Sequence, residues 1–90
     1  MKRVRVVVFG LVQGVYFRDA TRRLALRQGV SGWVRNNWDG TVEAVFEGEP
    51  EAVDRLVGFC REGPSGAAVE RVEVRDEPCD GITGFEIRGQ

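Results

Sequence analysis

The 90-residue sequence contains no histidine and only two cysteines, Cys60 and Cys79. Without histidine, the chain cannot build a Ser-His-Asp or Cys-His catalytic arrangement, and most zinc sites are excluded as well. Two cysteines are too few for a disulfide framework or a four-cysteine metal site, and we expect them to be unpaired. Cys60 falls in a helical pattern, where we interpret it as a small buried apolar side chain.

Lysine is scarce and the net charge is small. Lys2 is the only lysine, and 13 basic residues against 14 acidic ones leave a formal charge of −1. Such a balance offers no bulk attraction to nucleic acid or to an acidic membrane, so we expect neither as a partner. The start MKRVRVVVFGLV is basic and then apolar, but Arg5 interrupts it and no small-residue cleavage site follows. We therefore interpret it as a strand and expect a cytoplasmic monomer.

The hydrophobic pattern predicts a single domain over residues 1–90 with alternating strands and helices. Helices are expected to begin at Phe17 and Pro50 and to end before Gly29 and Gly63. The predicted strands are 3–9, 32–37, 42–47 and 69–75, with a possible short edge strand at 85–88. This order predicts an α+β ferredoxin-like βαββαβ sandwich, in which two helices cover one face of an antiparallel sheet.

The stretch GLVQGVYFR, residues 10–18, joins the first strand to the first helix. It sets Arg18 at the start of that helix, where the helix dipole disfavours an unpaired cation by roughly 0.3–1 kcal/mol. Gly14 permits a close turn, and a glycine-containing loop before a helix can direct backbone N–H groups at an anion. We interpret Arg18 and the loop as an anion site, whereas an ordinary turn beside a solvated arginine is the simpler alternative.

The predicted topology brings a second polar residue near this loop. The first helix runs about 18 Å away from the loop at 1.5 Å per residue. The second strand then returns about 20 Å at 3.3 Å per residue. We therefore expect Asn36, at the end of that strand, to lie at the level of Arg18 although the two are remote in sequence.

Three blocks of sequence resemble the acylphosphatases in their order and spacing: GLVQGVYFR followed by Thr21, GVSGWVRN at 29–36, and DGTVEAVFEG at 39–48. The resemblance implies the ferredoxin-like fold and hydrolysis of acyl phosphates to a carboxylate and inorganic phosphate, without metal or other cofactor. It further implies that Arg18 binds the phosphoryl group, that Asn36 orients the attacking water and that Thr21 supports the site by hydrogen bonding. The backbone N–H groups that would surround the phosphoryl oxygens belong to Gln13, Gly14, Val15, Tyr16, Phe17 and Arg18.

The chemistry of an acyl phosphate suits a chain without histidine. The leaving carboxylate is stable as an anion and needs no general acid, and phosphoryl transfer needs mainly positioning and charge stabilisation. Asn36 can accept a hydrogen bond from water but cannot take its proton. A phosphate oxygen of the substrate is our candidate acceptor and Asp19 the rival base, although a carboxylate in the first helical turn is also simply favourable.

Scattered arginines on the predicted strands leave a second class of function open. Arg3, Arg5, Arg71 and Arg75 would also suit a non-catalytic ferredoxin-like module that binds RNA or a small anion. The aromatic RNA-binding signature of such sheets is absent from the sequence. A third possibility is an accessory domain that resembles the acylphosphatase-like part of hydrogenase maturation proteins. We expect this to be the wrong interpretation because the whole sequence has only 90 residues.

Overall fold

A computed structural model describes residues 1–89, which form five strands and two helices in the predicted order. The elements are β1 (Lys2–Leu11), α1 (Phe17–Gln28), β2 (Ser31–Asn36), β3 (Val42–Gly48), α2 (Pro50–Glu62), β4 (Ala68–Glu77) and β5 (Phe85–Arg88). In this part of the chain, no helix is long and apolar enough to cross a membrane.

The strands form one sheet in the order β4-β1-β3-β2-β5. The pairs β1–β3, β1–β4 and β2–β3 are antiparallel, which confirms the predicted ferredoxin-like fold. The possible fifth strand is present at the edge and pairs parallel with β2, a direction that the sequence did not indicate, so the five-stranded sheet is mixed. Residues 78–84 run from the β4 edge of the sheet to the opposite edge, and β5 therefore starts alongside β2 in the same direction.

The core lies between the sheet and the two helices. Alternate residues of β1 and β3 are buried beneath the helices, as their period of two predicts. They are Val4, Val6, Val8, Val42, Ala44 and Phe46. The helix α2 buries Val53 and Leu56 together with Cys60, whose burial was expected. The helix α1 buries Phe17, Thr21 and Ala25, which lie one turn apart along the helix.

Strand β1 continues past its predicted end because a bulge lets it keep pairing with β4. The register shifts between Phe9 and Gly10, and the strand runs on to Leu11. Gly10 has a φ of 130°, and a Cβ there would meet the carbonyl oxygen of Ala68 at 2.2 Å. Only glycine permits this close approach, which delivers the chain into the loop before α1.

The sheet face opposite the helices, here called the open face, carries charged side chains around one tryptophan. The guanidinium carbons of Arg5, Arg35 and Arg88 lie 5.4, 5.0 and 4.8 Å from the ring centroid of Trp33. Trp33 is only 6% exposed as a result. The open face is therefore covered by side chains of its own strands rather than by a further layer of structure.

Both cysteines are unpaired. Cys60 is buried in α2 and Cys79 is exposed. Burial raises the pKa of the Cys60 thiol to about 12. A thiol of this kind remains protonated near neutrality and acts as an apolar side chain, as the sequence predicted.

Candidate active site

A cleft of about 420 Å³ opens where the start of α1 meets the end of β2 and the edge strand β5. Arg18 and Asn36 both line it. The topology thus brings the two residues to one place, as the lengths of α1 and β2 predict. The remaining lining residues are Val12, Gly14, Tyr16, Phe17, Asp19 and Ile87.

The loop between β1 and α1 has an unusual backbone conformation. Gly14 has a φ of 74°, and Tyr16 has a φ of 64° although it is not glycine. Tyr16 is the N-cap residue of α1 and makes no side-chain capping bond. The first backbone bond into the helix runs from Ala20 N–H to Tyr16 C=O at 3.1 Å. A left-handed residue directly before a helix start turns successive N–H groups toward one point, which favours an anion.

The loop N–H groups have no acceptor among the residues that the structure describes. Across the described residues 1–89, none of the backbone N–H groups from Gln13 to Arg18 donates a hydrogen bond outside the regular helix and strand ladders. The first residues of a helix cannot donate within that helix, so these groups depend on a side-chain cap, water or a ligand. No side-chain cap is present here. The loop therefore presents a set of free donors at the positive end of a helix dipole.

Arg18 is a partly buried cation without a carboxylate partner in the described chain. Other arginines of the sheet are closely paired, for example Arg5 with Glu77 at 2.5 Å and with Glu43 at 2.6 Å. No ion pair of this kind involves Arg18. Its fixed positive charge remains available to an anion in the cleft.

Asn36 contributes a buried acceptor to the same cleft. The residue is only 8% exposed, and its side-chain oxygen Oδ1 has no hydrogen-bond partner among the residues described. A buried polar atom without a partner costs about 1–3 kcal/mol, so native proteins seldom leave one without a function or a bound molecule. Asn36 lines the cleft, which is large enough to admit water, while the Oδ1 atom itself is buried.

Three other predicted site residues have side chains that lie away from the cleft. The Gln13 amide is bonded to the backbone after β2, and Val15 packs against the hydrophobic core. Thr21 is fully buried and donates from Oγ1 to Phe17 C=O at 2.8 Å. A hydroxyl bonded one turn back along its own helix holds the start of α1, and a supporting role for Thr21 in catalysis stays a prediction.

Asp19 and Ile87 also line the cleft. Asp19 lines the cleft and pairs with Arg23 at 3.1 Å, where both side chains are largely exposed. This arrangement fits the simple reading of an acidic residue in the first turn. Ile87 was not predicted at the site. Its presence depends on β5 running parallel to β2, with Ile87 opposite Val34, and the sequence carried no signal of that direction.

The arginines that suggested RNA binding are largely occupied on the open face. Arg3 is bonded to Glu47 and Glu77 at 3.3 and 3.1 Å, and Arg71 is bonded to Glu73 at 3.3 Å. The carboxylates neutralise these guanidinium groups, which leaves less charge for a polyanion. Within residues 1–89, no three or more acidic or cysteine side chains are grouped so that they could hold a metal ion.

Comparison with known proteins gives consistent matches. A family model described as Acylphosphatase matches residues 4–87. An acylphosphatase of Rubrobacter xylanophilus is 66% identical over 88 residues, which cover 97% of this chain and 80% of that protein. The crystal structure of acylphosphatase from Bacillus subtilis matches with a TM-score of 0.94 and 32% identity, over 98% of this chain and 99% of the other. A crystal structure of full-length HypF in its phosphate- and nucleotide-bound form matches at a TM-score of 0.90 and 27% identity, where this chain spans 12% of that chain.

Proposed function

The chain belongs to the acylphosphatase family, and on this premise we propose that it hydrolyses acyl phosphates by a metal-free mechanism centred on Arg18 and Asn36. The substrate class and the products, a carboxylate and inorganic phosphate, follow from the family. The roles of individual residues are our proposal. The observation that carries it is that Arg18 and Asn36 line one cleft. Among residues 1–89, the Arg18 guanidinium has no carboxylate partner and the buried Asn36 oxygen has no hydrogen-bond partner.

The phosphoryl group binds at the start of α1. Its oxygens accept hydrogen bonds from the free N–H groups between Gln13 and Arg18, and the Arg18 guanidinium donates from the side. The loop N–H groups are set by the backbone before substrate arrives, so little reorganisation of these donors is needed as charge develops in the transition state. Phosphoryl transfer depends mainly on this kind of positioning and electrostatic stabilisation.

The attacking water donates one hydrogen bond to Oδ1 of Asn36. This bond gives the orphaned oxygen its partner and holds the water over the phosphorus, opposite the leaving acyl oxygen. Water attacks phosphorus, the bond from phosphorus to the acyl oxygen breaks, and the carboxylate leaves as an anion. The neutral amide of Asn36 cannot act as a base. A phosphate oxygen therefore accepts the proton that the water loses. Asp19, held by Arg23, is the alternative acceptor.

The proposal is tested by assaying hydrolysis of benzoyl phosphate in an excess of chelator. We expect turnover to persist and inorganic phosphate to inhibit competitively, because both ligands occupy the same donors. Arg18→Ala should lower kcat/KM by about 10²–10³-fold, since a principal transition-state donor is lost, and should weaken inhibition by phosphate. Arg27→Ala is the matched control, because Arg27 is exposed near the other end of α1.

Asn36→Ala separates binding from chemistry. Because Asn36 is assigned to the water and not to the phosphate, we expect the inhibition constant of phosphate to be preserved while kcat falls by about 10²-fold. An equal loss of phosphate binding and turnover would contradict the assignment. Loss of all activity in chelator would contradict the metal-free mechanism. Salt-sensitive binding of RNA without turnover would favour the alternative of a non-catalytic module.

The remaining parts of the proposal concern the state of the molecule in the cell. The open face, which is covered by side chains of its own strands, supports a monomer, and we retain the cytoplasm as the expected location. Size-exclusion chromatography at micromolar concentration checks the first of these.

A further inference from the structure

The Gln13 side chain joins the loop before α1 to the turn that follows β2. Its amide nitrogen donates to Asn37 C=O at 2.8 Å and to Thr41 C=O at 3.0 Å. A glutamine amide has two N–H hydrogens, and both are engaged here. Asn37 directly follows Asn36, so this contact connects the segment bearing the free N–H donors to the segment bearing the orphaned oxygen.

The turn that receives Gln13 is rigid in its own right. Asn37 N–H donates to Thr41 C=O at 2.9 Å, and Gly40 N–H donates to Asn37 C=O at 3.2 Å. Asp39 accepts from both the backbone N–H and the hydroxyl of Thr41, at 3.0 and 2.6 Å. The hydrogen bonds from Thr41 hold the pKa of the Asp39 carboxyl below its usual range, so Asp39 stays ionised near neutrality. Gln13 is thus fastened to a stiff support.

The two carbonyl groups do not need Gln13 in order to be satisfied. Each already accepts a backbone N–H from within the turn, so removing the glutamine leaves no orphaned acceptor behind. The usual penalty for breaking a buried hydrogen bond, an unsatisfied partner, is therefore absent. The hydrogen bonds made by Gln13 therefore serve mainly to hold the two segments at a fixed distance from each other. They are not needed to satisfy the hydrogen-bonding groups within either segment.

We propose that the Gln13 side chain is a positioning residue, which sets the distance between the phosphoryl-binding loop and Asn36 so that the water stands in line for attack. This inference rests on the proposed function. Gln13 itself contacts neither water nor phosphate through its side chain. It acts through Asn36, and its backbone N–H serves the loop independently.

The test is Gln13→Met, which keeps the length of the side chain but has no donor. We expect kcat for benzoyl phosphate to fall about tenfold, because small misplacements of a reacting group have large effects on rate. The inhibition constant of inorganic phosphate should not change, because the loop N–H groups and Arg18 remain. Gln13→Glu, which has the same shape but places acceptors against the carbonyl oxygens, should lose at least as much. Gln28→Met, at the end of α1, is the matched control.

A double mutant distinguishes positioning from a general structural role. If Gln13 acts through Asn36, Gln13→Met should have little further effect on kcat in the Asn36→Ala background. Additive losses, an unchanged kcat in Gln13→Met, or equal losses of kcat and phosphate binding would each overturn the inference. Wild-type protein that fails to hydrolyse benzoyl phosphate would overturn the proposed function first, and the inference with it. Active wild type with a normal Gln13→Met would overturn the inference alone.

Discussion

The loop before α1 holds a non-glycine residue in a strained backbone conformation. Tyr16 adopts a left-handed backbone conformation, yet its side chain is 83% exposed and packs against little that could enforce that conformation. Left-handed φ and ψ values cost a non-glycine residue about 1–2 kcal/mol. This strained residue lies in the loop that carries the proposed phosphoryl-binding N–H groups. Strained backbone conformations tend to cluster at functional sites.

Replacing Tyr16 tests whether this strain is present. We expect Tyr16→Gly to be more stable than Tyr16→Ala by about 0.5–1 kcal/mol, because glycine removes the steric cost but loses more chain entropy. Urea denaturation of the two variants measures the difference. The comparison between them cancels the loss of the tyrosine ring, which both variants lack, and leaves the effect of the Cβ atom. An alanine variant as stable as the glycine variant would show that the loop relaxes its conformation.

At the scale of elements, the position of Asn36 depends on how closely β2 packs against β3. Gly32 pairs with Phe46 with a φ of 145°, and a Cβ there would lie 1.8 Å from the carbonyl oxygen of Val45. Glycine is therefore required at this point of the strand, four residues before Asn36. The close contact fixes the register in which β2 delivers Asn36 to the cleft.

Gly32→Ala should accordingly harm both stability and activity. We expect a loss of about 2–4 kcal/mol in the free energy of unfolding, because either strand must move to admit the methyl group. Activity of the folded fraction should fall as Asn36 shifts. Gly58→Ala is the control, since a Cβ at Gly58 in α2 meets nothing within 4 Å. Alanine within a helix should stabilise that variant by about 0.5–1 kcal/mol.

Across the whole molecule, carboxylates join strands that are distant in sequence. Glu47 on β3 accepts backbone N–H bonds from Asp80 and Gly81 at 2.9 and 2.8 Å and also pairs with Arg3. These N–H bonds, foremost that of Asp80, hold the pKa of Glu47 below its usual range. On β4, the hydrogen bond from Arg5 lowers the pKa of Glu77 in the same way. The segment that leads into β5 is thus fastened to the sheet by an ionised carboxylate.

Stability should therefore fall in acid. The folded pKa values of Glu47 and Glu77 lie below the ordinary value of 4.5, so their contribution is complete above about pH 5. As the pH falls below 4.5, the unfolded chain takes up protons first, and the contribution is lost as the pH drops through the folded pKa values. Urea unfolding between pH 7 and 3 measures this decline.

Glu47→Gln provides the matched comparison for the acid response. It removes the titrating group while retaining an acceptor oxygen, so we expect lower stability at pH 7 and a shallower loss in acid. Glu70→Gln on β4 removes the same charge from an exposed position and is the control. An acid profile for Glu47→Gln that parallels the wild type would show that this carboxylate is not a source of the decline.

The local pattern of the chain was sufficient for the order of elements and for the expectation that Arg18 and Asn36 lie close together. Several signals act through neighbours in sequence and can therefore be recognised from the sequence alone. They are the alternating valines in β1, the glycines that end the helices and the Asp-Gly turn. Arg18 and Asn36 could be placed together because helix rise and strand rise are constants of the backbone. The loop conformation was expected from Gly14, but the left-handed Tyr16 was not.

The features that only the tertiary structure decided are contacts between residues far apart along the chain. The parallel direction of β5, and with it Ile87 in the cleft, depends on the path of residues 78–84 across the sheet. The pairing of Gln13 with the turn after β2 and the orphaned state of the Asn36 oxygen likewise depend on how separate segments meet. A sequence pattern specifies which face of an element is apolar, but hydrogen-bond partners are set by distances and angles that exist only once the elements have packed.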